Sequence, residues 1–267
     1  MTLFHLFLVA MIQGITEFLP ISSSGHLILL PGLSGGPDQG LAIDVAVHVG
    51  TLVAVVLYFW TDVKLALTGL GHLARGRTDT PGARLAILLI LATIPVIIAG
   101  FLIKILGIDE MLRSVAVIGW TMLLFGLVLY WADRTGAEEK TASDWTASDA
   151  LRMGLAQVLA LIPGTSRSGI TITAGRRLGY GREGAAKLAM LMSIPTILAS
   201  GALLSLDVVS SADWTVARDG LIAAAFAFAA ALLALALMMR LLKSVSFTPY
   251  VIYRVILGIA LLIYAYS

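Results

Sequence analysis

The stretch Gln13-Gly14-Ile15-Thr16-Glu17-Phe18-Leu19-Pro20-Ile21-Ser22-Ser23-Ser24-Gly25-His26 breaks an otherwise apolar run, residues 2 to 32, near its middle. Pro20 removes a backbone donor and ends a first half-helix, and Ser22 to Ser24 are suitable N-caps for a second. Neither half reaches the roughly 20 apolar residues that a crossing needs. Broken backbone survives at membrane depth only where protein encloses it or a cavity wets it, so the stretch reads as a re-entrant helix-loop-helix hairpin. Residues 149 to 178 read the same way around Gln157-Val158-Leu159-Ala160-Leu161-Ile162-Pro163-Gly164-Thr165-Ser166-Arg167-Ser168-Gly169, with Pro163 and Gly164 as the break and Ser166 or Ser168 as the cap.

The rest of the chain has the composition of a membrane protein. It is 59% hydrophobic and 13% charged over 267 residues, against roughly 45–50% and about 25% for a soluble domain. Long apolar runs place spanning helices at 42 to 60, 84 to 104, 113 to 131, 185 to 205, 219 to 242 and 249 to 266. The expected fold is therefore all-α and polytopic: a single integral membrane domain of six transmembrane helices and two hairpins. A net charge of +2 leaves no long basic surface for nucleic acid, and the absence of cysteine excludes disulfides and thiol chemistry. The first segment lacks a basic leader and carries Glu17, so it is expected to remain in the mature protein.

Basic residues orient the bundle. Lys64, Arg75, Arg77 and Arg84, then Arg176, Arg177, Arg182 and Lys187, then Arg240 and Lys243 mark cytoplasmic segments, whereas the stretch from Asp207 to Asp219 has the sign of an outward loop. The mixed segment 132 to 148 follows the others. On this scheme the first hairpin enters and returns on the outer side, the second on the cytoplasmic side, and the two point at each other. The spacing from Gln13 to Gly25 equals that from Gln157 to Gly169, and the same offset lays span 42 to 60 over span 185 to 205. This is the pattern of an inverted repeat, with halves approximately 1–131 and 149–267, and such repeats place sites at a midplane interface.

The polar groups at the two breaks define the chemistry. Gln13 and Glu17 share one helix face and are followed by Ser22, Ser23 and His26. A carboxylate can orient an imidazole or hold a divalent cation, and an imidazole can move a proton. A buried Glu or His is often only a structural hydrogen-bonding group, but ionisable groups at membrane depth persist mainly where they face a cavity or a partner. In the second break Gly164, Thr165, Ser166, Arg167, Ser168 and Gly169 offer turning glycines, hydroxyls, a planar cation and a helix start, which together suit an anion such as phosphate. The bland alternative has Ser166 as a cap and Arg167 snorkelling to the surface. A nucleotide-binding loop is excluded because Ile170 stands at the lysine position. The type-2 phosphatidic acid phosphatase pattern fails because its later histidine and aspartate fall on Thr173 and Arg177. His48, Pro95, Pro195 and the interfacial tyrosines and tryptophans take structural readings.

Both motifs, together with Phe247-Thr248-Pro249-Tyr250 before the last span, closely resemble the bacitracin-resistance family of undecaprenyl-pyrophosphate phosphatases over essentially the whole chain. The resemblance implies a bacterial inner-membrane hydrolase that removes the terminal phosphate of a C55 isoprenyl diphosphate and regenerates the carrier for peptidoglycan, at a site facing the periplasm. It implies that Glu17, Ser23, His26 and Arg167 are catalytic, that Ser166 and Thr171 are phosphate-site hydroxyls, and that a divalent cation such as Mg2+ takes part, with Glu17 as its ligand. Gln13 stands where the family also has an acid, so a two-acid metal site is not expected. Gln13, Ser22, Gly164, Thr165, Ser166, Ser168, Gly169 and Thr171 complete the expected substrate contacts. The partners are then a polyprenyl diphosphate and the bilayer, and a homodimer is compatible with the family. The competing reading is a polyprenyl-phosphate flippase, since inverted repeats and broken helices also build transporters.

Overall fold

A computed structural model describes residues 2–34, 39–108, 110–208 and 214–267, and all of its named elements are helices. They are α1 (Leu3–Thr16), α2 (Ser23–Ser34), α3 (Leu41–Tyr58), α4 (Trp60–Leu73), α5 (Pro81–Leu106), α6 (Val115–Thr135), α7 (Ala147–Val158), α8 (Arg167–Arg177), α9 (Arg182–Val208), α10 (Trp214–Leu241) and α11 (Thr248–Tyr266), with short 3-10 turns between some of them. Among the described residues six helices are long and apolar enough to cross a membrane: α3, α5, α6, α9 over Arg182–Leu203, α10 and α11. These are the six spans expected from the sequence. The ends differ by a few residues for local reasons. In α5, for example, the Thr80 side chain accepts from the Ala83 amide and starts the helix early, and Gly107 at φ +64° ends it.

The two interrupted runs are indeed broken. Helices α1 and α2 have 14 and 12 residues, and α7 and α8 have 12 and 11, so at about 1.5 Å per residue none of the four reaches across the roughly 30 Å hydrocarbon core. After α1 the chain turns through Glu17 to Ile21, with Phe18 fully buried. After α7 it tightens into a 3-10 turn, Leu159–Leu161, before Pro163.

Helix α4 is an element that the search for long apolar runs did not separate from its surroundings. Phe59, at φ −101° and ψ 32°, breaks the path after α3, and α4 then packs on α5. Gly69 allows that approach, because a side chain there would run into the backbone of Gly82.

Two features of the packing position the site. Helix α1 lies on α10, where a Cβ at Gly14 would meet Ala230 Cβ at 2.6 Å, and α7 lies on α5, with Gly154 held against the Ala92 carbonyl. Short helices that lack a crossing of their own are thus seated on long ones. The basic segments gather at one end of the bundle: Lys187 pairs with Asp62 at 2.8 Å, Arg84 donates to the Trp145 carbonyl, and Arg182 Nε donates to Asp133 at 2.7 Å. The residues expected as interfacial anchors, Tyr58, Trp60, Trp131, Trp214, Tyr264 and Tyr266, are all exposed.

Candidate active site

The two breaks meet. Glu17 caps the C-terminal end of α1 and its carboxylate, only 6% exposed, receives three donors: Arg167 Nη2 at 2.9 Å on Oε1, and Ser23 Oγ at 2.7 Å and Gln13 Nε2 at 2.9 Å on Oε2. Arg167 opens α8, Ser23 opens α2 and Gln13 belongs to α1, so one carboxylate ties together three of the four short helices. Ser168 Oγ adds a second link between the breaks by donating to the Leu19 carbonyl at 2.9 Å.

Both second half-helices begin the same way. Ser22 and Ser166 each sit at φ +72°, a left-handed conformation uncommon for a residue with a side chain. Each hydroxyl accepts from an amide three residues on, Gly25 N at 3.3 Å and Gly169 N at 3.1 Å, and lies close to the hydroxyl two residues on, that of Ser24 or Ser168. Strain of this kind costs on the order of 1–3 kcal/mol and persists where surrounding contacts over-determine it. The turn before α8 needs Gly164 at φ +87°, where a Cβ would run into Thr121 Oγ1.

A cavity of about 190 Å³ opens beside this junction, lined by Glu17, Ser22, Ser23, Ser24, His48, Gln157, Ser166, Arg167, Thr196 and Ser200 together with Val96, Ala160, Leu161 and Ile197. Its walls carry hydroxyls, an acid, an imidazole and a guanidinium, with the start of α8 adding first-turn N–H groups. A larger cavity of about 860 Å³ lies at the basic end of the bundle, but its cations Lys187 and Arg84 already have Asp62 and the Trp145 carbonyl as partners. The smaller cavity is the one that brings unlike reactive groups together.

The residues singled out from the sequence take different places around it. Glu17, Ser22, Ser23, Ser166 and Arg167 line the cavity. Gln13 is fully buried behind Glu17, and its Oε1 has no partner. Thr165 is fully buried with an unpartnered hydroxyl, and Gly164 and Gly169 shape the turn and the first helical residues. The Thr171 hydroxyl folds back onto the carbonyls of Arg167 and Ser168. His26 lies outside the lining: Nδ1 is 2.6 Å from the Ser22 carbonyl and Nε2 is hydrogen-bonded to the Tyr253 hydroxyl. An imidazole Nδ1 facing a carbonyl carries the proton, so Nε2 is the acceptor and the Tyr253 hydroxyl the donor.

His48 occupies the position at the carboxylate. Its Nε2 is 4.0 Å from Glu17 Oε2, while Nδ1 faces the Asp44 carbonyl at 2.7 Å. From the sequence it was one histidine on an apolar span, and only the approach of α3 to the first break distinguishes it. Gln157 was visible as the counterpart of Gln13, and it too lines the cavity. As for a metal, among the described residues no three acidic or imidazole groups cluster.

The family description "Bacitracin resistance protein BacA" matches residues 6–260. The chain belongs to the BacA family. Among its relatives, a protein of Roseobacter denitrificans named undecaprenyl-diphosphatase is 76% identical over 267 residues, covering the whole of both chains. A Jannaschia protein of the same name is 68% identical, again over the whole of both. One from Chromohalobacter salexigens, also so named, is 49% identical over 97% of this chain and 98% of its own. Membership of the BacA family thus extends over both breaks and the helices that carry them, so the site lies wholly within the shared region.

Proposed function

We propose that the chain is an undecaprenyl-diphosphatase that hydrolyses the C55 isoprenyl diphosphate to the monophosphate and free phosphate, recycling the carrier for peptidoglycan synthesis and so conferring bacitracin resistance. The observation that carries this reading is the pair of contacts on Glu17: a serine hydroxyl directed at one carboxylate oxygen and a guanidinium at the other. A carboxylate 2.7 Å from a hydroxyl is within reach of its proton, and a guanidinium beside it can change partner to grip phosphate with two parallel hydrogen bonds.

In this mechanism the diphosphate enters between α2 and α8, and Arg167 with the first-turn N–H groups of α8 takes its charge. Ser23 Oγ attacks the terminal phosphorus as its proton passes to Glu17. The bond from that phosphorus to the bridging oxygen breaks, and undecaprenyl monophosphate leaves with the electron pair. The departing monophosphate takes up the proton from Glu17, so the carboxylate is again a base when water attacks the phosphoserine. Glu17 accepts one proton of that water and returns it to Ser23 Oγ as phosphate departs. His26 holds Ser22 in its left-handed turn through the Ser22 carbonyl, and His48, with Nε2 4.0 Å from Glu17 Oε2, is placed to relay a proton to the carboxylate through one water rather than directly.

A divalent cation such as Mg2+ fits this donor set only as a companion of the substrate. Glu17 is the one carboxylate lining the cavity, and Gln13 is sealed behind it. When bound, the cation would neutralise charge on the diphosphate oxygens. The architecture belongs to the same proposal. The short helices are two opposed re-entrant hairpins of an inverted repeat, which the matching turns at Ser22 and Ser166 support. The cavity faces the periplasm, because the basic segments occupy the opposite end.

Phosphate release by the detergent-solubilised protein, where no gradient exists, tests the function against transport. Robust release from undecaprenyl diphosphate, with label trapped on Ser23 after a rapid acid quench, is the expected result. Lipid translocation without release of phosphate would establish the flippase instead.

A further inference from the structure

Arg254, on α11, belongs to none of the groups assigned above. It is fully buried, and every donor it uses goes to a backbone carbonyl: Nη1 to Pro20 at 3.2 Å, Nη2 to Gly164 at 3.0 Å, Thr165 at 2.9 Å and Thr121 at 3.3 Å, and Nε to Met122 at 3.2 Å. Among the described residues it has no acidic partner. A cation is thus placed in the interior and compensated only by the ends of peptide dipoles, an arrangement that leaves a buried charge costly unless the carbonyls need it.

They do need it. Proline and the turns around it free carbonyls from the helix ladder in both breaks, and at membrane depth each freed carbonyl requires a donor. Pro20 lies midway between Glu17 and Ser23, and Thr165 is two residues before Arg167. One planar fork therefore spans both breaks and α6, and it sets the spacing of the backbone segments that carry the carboxylate, the serine and the guanidinium of the cavity. A lysine could not substitute: its ammonium is a single point and cannot reach carbonyls of three separate segments. The residue before it, Tyr253, bonds to His26, so the same turn of α11 fixes α2 as well.

We propose that Arg254 is a positioning residue that holds the two breaks in the register at which Glu17, Ser23 and Arg167 meet. The proposal rests on the hydrolase reading for its effect on turnover but not for its effect on geometry, and the two can be tested apart. The chain contains no cysteine, so a Leu19→Cys, Ser168→Cys pair reports the spacing of the breaks in the full-length protein without any enzyme assay. With Arg254 intact the pair should close to a disulfide readily under mild oxidant, and with Arg254→Lys at least about ten-fold more slowly. Equal rates would overturn the proposal even if the protein proved inactive.

The second arm is kinetic, on a chain with native Leu19 and Ser168. Arg254→Lys should lower kcat by about 10²-fold, the scale expected of a misplacement of around an ångström, with a much smaller change in KM. Gly126→Ala guards against simple misfolding. A Cβ there would sit 3.2 Å from Arg254 Cβ, nudging the side chain while removing no charge and adding a good helix former. It should lower kcat several-fold while the folded yield stays normal, whereas Gly184→Ala, similarly crowded at 3.3 Å from the Ala142 amide but at the basic end, should leave kcat unchanged. If Arg254→Lys and Gly126→Ala lower only folded yield or melting temperature, with full turnover per folded molecule, Arg254 is merely structural. Absent phosphate release from the parent protein refutes the hydrolase reading and leaves the disulfide rates to decide on Arg254.

Discussion

Glu17 accepts from a guanidinium, a serine and an amide at once, so its substitutions separate charge from shape. Glu17→Gln keeps the volume and one carbonyl acceptor but cannot take a proton, and phosphate release should fall by about 10²–10⁴-fold, the usual worth of a general base, with the protein still folding. Arg167→Ala should instead cost activity and folding together, because it leaves the carboxylate buried without its cation. A Glu17→Gln protein with near-parental turnover would remove the carboxylate from the reaction. The amide Gln13 supports a different expectation. Its Oε1 has no partner, and Gln13→Glu would put a second negative charge beside Glu17, so the concentration of Mg2+ giving half-maximal activity should fall. An unchanged or higher requirement would argue against cation binding at Glu17. Glu17 and Arg167 were legible in the sequence because an unneutralised charge in an apolar run demands a reason. The sequence separates the two histidines by their neighbours, His26 beside a serine run as a catalytic candidate and His48 on an apolar span as structural, but tertiary packing, which composition does not encode, turns the first toward Tyr253 and the second toward the carboxylate.

At the scale of elements, what periodicity and hydropathy could announce was the set of long helices and the two interruptions, since both depend on local composition. What they could not announce was α4, a 14-residue helix that packs on α5 but is too short and too polar to read as a crossing. The start of α7 shows how such a short element is secured. Asp149 accepts from the Tyr180 hydroxyl at 2.7 Å and pairs with Lys140 at 3.1 Å. Burial works against its ionisation, but the hydrogen bonds from Tyr180, Lys140 and Thr146 outweigh that and hold its pKa below the ordinary carboxylate value. Burial first, and Asp149 second, push the Tyr180 phenol well above its usual range. A depressed carboxyl pKa contributes stability that is present above the unfolded value of about 3.9 and is lost as pH falls through the lower folded value. Asp149→Asn should therefore lower the melting temperature at pH 7, and the gap from the parent should close on acidification below about pH 4. A gap that is constant with pH would mean that the ionised carboxylate contributes nothing.

For the whole molecule, the governing asymmetry is between an end crowded with paired charges and a cavity of hydroxyls. Arg176 and Arg182 share Asp133, Lys187 holds Asp62, and Lys140 holds Asp149, so several segments distant in sequence are tied at the basic end by ion pairs. The two Ser turns and the Glu17–Arg167 pair tie the breaks. If Lys and Arg set orientation, the basic end lies in the cytoplasm and the cavity opens outward, as a hydrolase acting on a lipid head group in the outer leaflet requires. With no native cysteine in the chain, single substitutions can report this directly. Ser24, exposed at the cavity, and Ser143, exposed at the basic end, are suitable places. A membrane-impermeant maleimide applied to spheroplasts should label Ser24→Cys at once and Ser143→Cys only after lysis. The reverse pattern would invert the whole orientation while leaving the chemistry of the cavity intact, and equal labelling of both would mean that the two residues do not lie on opposite sides of the bilayer.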